Sequence, residues 1–184
     1  MGLHEILRRT ESVTAVDEPA GALARTIAKI LPRKAAELLR GSWLGHPVHP
    51  LLVTLPIGAW TSSAVLDCLG RRTAARQLIG LGLAAVPVTV LAGAADYPDL
   101  TTAQRRTGVA HAAVNSVATA FLLASYVCRT RGKHQAGIAL SAVGLVTLSI
   151  GGALGGHLAY AQGGGVYRYQ EPPFVRHTEP ATAS

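Results

Sequence analysis

The sequence predicts an all-α membrane protein, a four-transmembrane-helix antiparallel bundle preceded by an amphipathic helical segment. Three observations carry this expectation. Of 184 residues, 49% are apolar and only 15% charged, against about 25% charged in an ordinary soluble domain. Four apolar runs are each long enough to cross a hydrocarbon core, which takes about 20 residues at a rise of about 1.5 Å each. The connections between the runs are short, so neighbours in sequence run antiparallel.

The elements follow in order. Residues 1–19 are polar and without periodicity, and they read as a flexible terminus. Residues 20–42 place Leu23, Ile27, Ile30, Leu31, Leu38 and Leu39 in an apolar stripe. Arg25, Lys29, Arg33 and Lys34 lie opposite or beside it. Pro32 divides this segment into two short helical pieces. Such a segment suits either an anionic leaflet surface or the end of the bundle. Residues 43–168 form the membrane domain. Its helices run from about Pro50 to Leu69, Arg76 to Ala95, Gly108 to Cys128 and Gly137 to Ala161. Residues 169–184 form a second flexible segment, polar and Pro-containing.

Small residues recur four apart in the spans, at Gly151 and Gly155, at Gly152 and Gly156, and at Gly80 and Ala84. That spacing brings helix backbones close in lipid, either within one chain or across a homodimer. Pro56 and Pro87 are expected to kink the first and second spans. Trp43 fits an interface anchor.

The net charge of +7 is explained by basic residues at membrane edges. No helix-turn-helix pattern or aromatic-basic interleaving accompanies it, so nucleic acid is not an expected partner. Two cysteines without a C-x-x-C exclude a zinc ribbon or an all-cysteine iron–sulfur site in this chain. Ile6 stands where myristoylation needs Ser or Thr, and no short apolar run with a cleavage site follows the start.

Four antiparallel spans gather residues from distant positions onto two ends. One end receives His46, His49, Asp96, Tyr97, His111, His157 and Tyr160. The other receives Asp67, Cys68, Arg71, Arg72, Arg76, Cys128, Arg129, Arg131, Lys133 and His134. Histidine is costly in lipid and marks function there. His46 and His49 stand three apart in LGHPVHP, stiffened by Pro47 and Pro50. His111 has Asn115 one turn on, placed to fix its tautomer. His157 follows a run of glycines whose open space a flat cofactor or a neighbouring helix would fill. Two ligand readings follow for His46, His49, His111 and His157. Haem b takes two imidazoles from different helices. A mononuclear copper, zinc or iron ion takes three or four, with Asp96 as a further ligand.

At the other end Asp67 is expected to be neutralised by Arg71 or by Arg129. His49, Val53, Pro56, Trp60, Ser63 and Asp67 share one helix face and read as an interhelix contact. Asp96 and Asp99 with Arg105 and Arg106 are expected to form a salt-bridged cap over the histidine end. Cys68 and Cys128 both close helices at this end; an oxidising compartment would allow them to pair, but a reduced, buried pair is the expectation. The basic residues of the two ends nearly balance, and the basic segment at 20–42 favours both termini in the cytoplasm of a cell-membrane protein.

LGHPVHPLLVTLPIGAW, AGAADYPDL, RTGVAHAAVN and GGHLAYAQGGGVYR together resemble the bacterial membrane family catalogued as domain of unknown function 2231. The resemblance spans Gly41 to Arg168. It implies a four-helix integral membrane protein. Some members are fused to a Rieske-type iron–sulfur domain, which implies a redox setting. No C-x-H followed by C-x-x-H appears after Arg168, so an iron–sulfur partner would be a separate protein. Two functional readings remain. In one, the histidine end holds haem b or a redox metal and exchanges electrons with a partner protein. In the other, the chain is a non-catalytic membrane anchor or scaffold. A transporter would need buried charges at mid-membrane, whereas these acids lie near the ends.

Overall fold

The structure, a computed structural model, describes residues 2–166, 168 and 169. Every regular element among them is helical. They are α1 (Leu3–Arg8), α2 (Asp17–Ile30), α3 (Arg33–Arg40), α4 (Val48–Leu52), α5 (Thr54–Cys68), α6 (Arg72–Asp96), α7 (Thr102–Thr130) and α8 (His134–Gly156). One wider π-turn, His157–Ala161, continues α8. Four stretches are long and apolar enough to cross a membrane: Val48–Cys68, Arg72–Asp99, Thr102–Thr130 and His134–Ala161. The last three begin several residues before the expected spans. Arg72 is exposed at the start of α6, and in the first turns of α7 Arg105 and Arg106 are held by the Pro98 carbonyl and by Asp17. Outside the bundle, Val65, Val90, Leu123, Val146 and Ile150 are exposed. Such an apolar outer surface suits lipid and not water.

Local chemistry sets the breaks. Pro56 lacks the N–H that would bond the Leu52 carbonyl, and the first span changes from α4 to α5 at Val53. The Val53 N–H still donates to His49 O at 3.1 Å, so the chain stays helical through the change. Pro87 lies inside α6 without ending it. Thr101 opens α7: its hydroxyl accepts from the Gln104 N–H, and the Gln104 side chain accepts from the Thr101 N–H. Gly41 ends α3 at φ +85°, where an added Cβ would strike the His46 carbonyl.

Helix α5 packs on α6 and α8, and α7 packs on α8 and α6. Thus α5 and α7 occupy diagonal corners. The two hairpins, α5–α6 and α7–α8, are one unit used twice. His49 donates Nδ1–H to Thr89 O at 2.9 Å, and His111 donates Nδ1–H to Gly151 O at 2.9 Å; each reaches 40 positions along the chain. Ser63 donates to Ala75 O at 2.9 Å and Ser125 to Gly137 O at 2.6 Å, each 12 positions on. The turns match as well: Gly70 and Gly132 have φ of 70° and 75°. Arg71 and Lys133, which follow them, have φ/ψ of −85°/59° and −83°/62°. Both hairpins start at the same end. The halves are therefore parallel repeats, related by a pseudo-twofold axis along the bundle.

Equivalent residues that touch one another must lie on that axis, and two pairs do. His49 and His111 face each other with ring centroids 6.4 Å apart. Asp67 and Arg129, 62 positions apart, form a bidentate pair with both N–O distances 2.6 Å. Between these layers lies an apolar one, Trp60, Ile79 and Leu122, packed by Leu83, Val86, Tyr126, Leu145 and Leu148.

The segment expected as a loose N-terminus is instead folded onto the histidine end. The Thr10 and Thr107 hydroxyls meet at 2.9 Å. Arg106 clasps the Asp17 carboxylate through two 2.6 Å bonds and donates to Glu11 O at 2.6 Å. Helix α2 buries Ala20 and Ala24 against Tyr97 and Leu100. Pro32 separates α2 from α3 as expected, and Arg40 at the end of α3 donates to Ala95 O at 2.8 Å. Residues 170–184, which hold nearly all of the expected C-terminal tail, lie outside the described residues.

Candidate functional site

Of the four candidate histidines, the fold brings two together. His49 enters from the broken first span and His111 from the third turn of α7, the two diagonal helices. A carbonyl oxygen only accepts, so the bonds to Thr89 and Gly151 place the proton of each neutral ring on Nδ1. Each Nε2 then carries the lone pair. This is the arrangement in which a backbone carbonyl orients a ligating imidazole. The rings meet edge to face at an interplanar angle of 80°.

Glycines on the opposing helices make this approach possible. A Cβ on Gly93 would stand 2.9 Å from His49 Cε1, and one on Gly155 would stand 2.7 Å from His111 Cε1. The space expected beside the glycines of α8 is thus filled by a neighbouring helix, through His111 and Asn115. Asn115 donates Nδ2–H to the His111 carbonyl at 2.9 Å, and the same nitrogen stands 3.2 and 3.4 Å from the two ring nitrogens. Its counterpart in the first hairpin is Val53. The imidazoles therefore share a backbone anchor but differ in polar surroundings.

The remaining candidates stand apart from this pair. His46 is exposed in the loop before α4. His157 is buried, and its Nε2 lies 2.8 Å from the Glu11 carboxylate, with His4 edge-on at 6.1 Å. Asp96 accepts from Arg168 at 3.0 Å, while Asp99 accepts from Arg168 at 2.6 Å and pairs with Arg40 at 3.1 Å. The salt-bridged cap exists, but Arg40 and Arg168 supply its cations. Arg105, expected there, donates to Pro98 O at 2.6 Å, and Arg106 is taken by Asp17. Among the described residues, no three His, Cys, Asp or Glu side chains converge on a metal-binding point.

The cap over this end is electrostatic. The hydrogen bond from His157, then one from Gln162, holds the Glu11 carboxyl below its ordinary value. The hydrogen bond from Arg106 does the same for Asp17. At the far end Arg129 makes four hydrogen bonds: besides the two to Asp67, its Nε donates to Ser125 Oγ and Nη2 to Ser141 Oγ, both at 3.1 Å. Of the two partners expected for Asp67, the structure selects Arg129. The apolar middle layer separates this pair from the histidines, so these polar groups do not join into a path across the bundle. Cys68 and Cys128 are free thiols, the first exposed and the second half-buried.

Residues 45–168 match the family described as predicted membrane protein, domain of unknown function 2231. The chain belongs to this family. The match begins just before His46 and ends at Arg168, so it encloses both hairpins and the histidine pair. The N-terminal cap lies outside it. No curated protein and no solved structure matches the chain.

Proposed function

We propose that His49 and His111 are the paired ligands of a redox centre on the pseudo-twofold axis, passing electrons to or from a partner protein at the histidine end. One observation carries this reading. Two imidazoles from diagonal helices meet across the axis, each with Nδ1 held by a carbonyl and Nε2 left with its lone pair. One ion between two such nitrogens, at metal–nitrogen bonds of about 2 Å, implies ring centroids about 6 Å apart. The rings stand 6.4 Å apart, and ligation would turn their edge-to-face contact until both Nε2 atoms aim at one point. His49 and His111 would hold either haem b or a soft ion such as copper(I), and either would supply one-electron chemistry there. His157 and Asp96 have other partners and His46 is exposed in a loop, so the three- or four-ligand mononuclear site has less support.

The protein is read as lying in the cytoplasmic membrane with both termini in the cytoplasm. Cys68, being exposed, tests this. An impermeant thiol reagent applied to intact cells should label it, and protection of Cys68 until lysis would reverse the orientation.

The test of the site is protein purified mildly in detergent. Haem gives a Soret band, and a bare ion gives stoichiometric copper or iron without one. Either signal should vanish in His49→Ala and in His111→Ala and persist in His46→Ala and His157→Ala. Wild-type protein with neither signal ends the redox reading. The anchor or scaffold reading, in which the docked cap presents the partner surface, then takes its place.

A further inference from the structure

We infer that α2 and α3 form a collar that binds anionic phospholipid headgroups where the bilayer surface meets the histidine end. Helix α2 is pinned at that level, since its buried Ala20 and Ala24 pack on Tyr97 and Leu100 between the second and third spans. Ile27 packs on the same cluster and Asp17 is held by Arg106, and most of the remaining surface of α2 is open. Arg25 and Lys29 on α2, and Arg33 and Lys34 on α3, are all exposed. So are the large apolar side chains Leu23, Ile30, Leu38 and Trp43.

A cationic surface with apolar side chains beside it suits a lipid interface, where chains take the apolar groups and phosphates the cations. Acidic partners on this surface are few. Glu37 stands 3.2 Å from Arg33, but both are exposed and such a pair is weak. Glu18 is also exposed, whereas Asp17 is occupied by Arg106. The apolar flank is continuous with the lipid-facing bundle. Trp43 donates its indole N–H to Leu38 O at 3.1 Å, and beyond it Leu44, Leu51 and Leu55 are exposed in turn. An indole with its N–H satisfied and its ring outward is typical of a membrane-interface anchor.

The experiment uses the full chain in vesicles of mixed phosphatidylcholine and phosphatidylglycerol, with bromine on the chains of one lipid or the other. The Trp43 signal is taken as the difference between wild type and Trp43→Phe, because Trp60 is buried. Brominated phosphatidylglycerol should quench Trp43 several-fold more strongly than brominated phosphatidylcholine at equal mole fraction. The preference should fall towards equal quenching by the two lipids in Lys29→Gln/Arg33→Gln/Lys34→Gln. It should also fall as salt is added to the wild type, which serves if that variant does not fold.

Equal quenching by the two lipids overturns the headgroup preference. No quenching by either shows that a protein, a second copy included, or water faces Trp43, and overturns the collar. Selectivity that survives both charge removal and salt overturns the role of these cations.

Discussion

In the first hairpin Trp60 fills the notch at Gly82, with its indole N–H donating to Ile79 O at 3.2 Å. In the second hairpin Leu122 occupies the equivalent notch at Gly144. The turn glycines, the serine-to-carbonyl bonds and the histidine-to-carbonyl bonds are the same in both. Other equivalent positions differ, among them Trp60 and Leu122, Val53 and Asn115, Ile79 and Ser141, and, on the axis itself, Asp67 and Arg129. The shared positions close each hairpin on itself, so they need no knowledge of the other half. Asp67 and Arg129 meet across the axis and must complement one another. Two identical hairpins would set aspartate against aspartate or arginine against arginine in a dry site, which like-charge repulsion forbids. His49 and His111 are the exception. They lie on the axis and have stayed identical, as expected of two ligands for one centre.

The Asp67–Arg129 pair tests this most severely. Arg129→Met leaves a buried carboxylate uncompensated and should cost about 3–5 kcal/mol, read as a drop in thermal unfolding temperature in detergent. Asp67→Leu with Arg129→Met should regain much of that loss, because an apolar pair of similar volume often replaces a buried ion pair at little cost. If the double variant is no more stable than Arg129→Met alone, the pair is not what joins the halves.

The two notches come next. A Cβ on Gly82 would run into the Trp60 indole, a rigid ring hydrogen-bonded in place; one on Gly144 would meet the Leu122 Cγ at 3.0 Å. Overpacking of a fixed core costs about 1–3 kcal/mol, whereas Gly→Ala within a helix returns up to about 1 kcal/mol of propensity. Gly82→Ala should therefore destabilise the protein clearly while Gly144→Ala stays near neutral. Equal unfolding temperatures for the two would show that the notches are not filled differently.

Much of this architecture was legible in the chain, and the gaps have physical causes. Span length and short turns gave four crossings, and crossing number gave the common end of His49 and His111. Topology sets depth but not direction about a helix axis. His157 therefore reached the expected end yet turned to Glu11, and Asp96 turned to Arg168. The repeat was missed because lipid imposes one apolar composition on every span, so similarity among apolar residues carries no signal. The available signal was the small set of anchors recurring at one fixed spacing: His49 and His111, Ser63 and Ser125, Gly70 and Gly132, Gly93 and Gly155. The N-terminal cap was missed because its contacts join residues some 90 to 150 positions apart through side chains, without the local periodicity that marks a helix.

That cap supplies the mildest contrast between the halves. The second hairpin is held at its end by acids, Glu11 on His157 and Asp17 on Arg106. The equivalent end of the first hairpin is held by Arg40 on the Ala95 carbonyl, which does not titrate, with Asp99 as a second acceptor. Both cap carboxyls are held below their ordinary values, by His157 and by Arg106 respectively. A carboxyl depressed in the folded state contributes its stability above the unfolded pKa and loses it as pH falls through the folded one. The cap should therefore stay docked at neutral pH and loosen only below about pH 4. Amide exchange across residues 3–16 should rise over that range, while α3 at the first hairpin changes less. Glu11→Gln with Asp17→Asn should flatten the response and leave exchange already raised at pH 7. A double variant with the wild-type acid response would place the titrating group elsewhere.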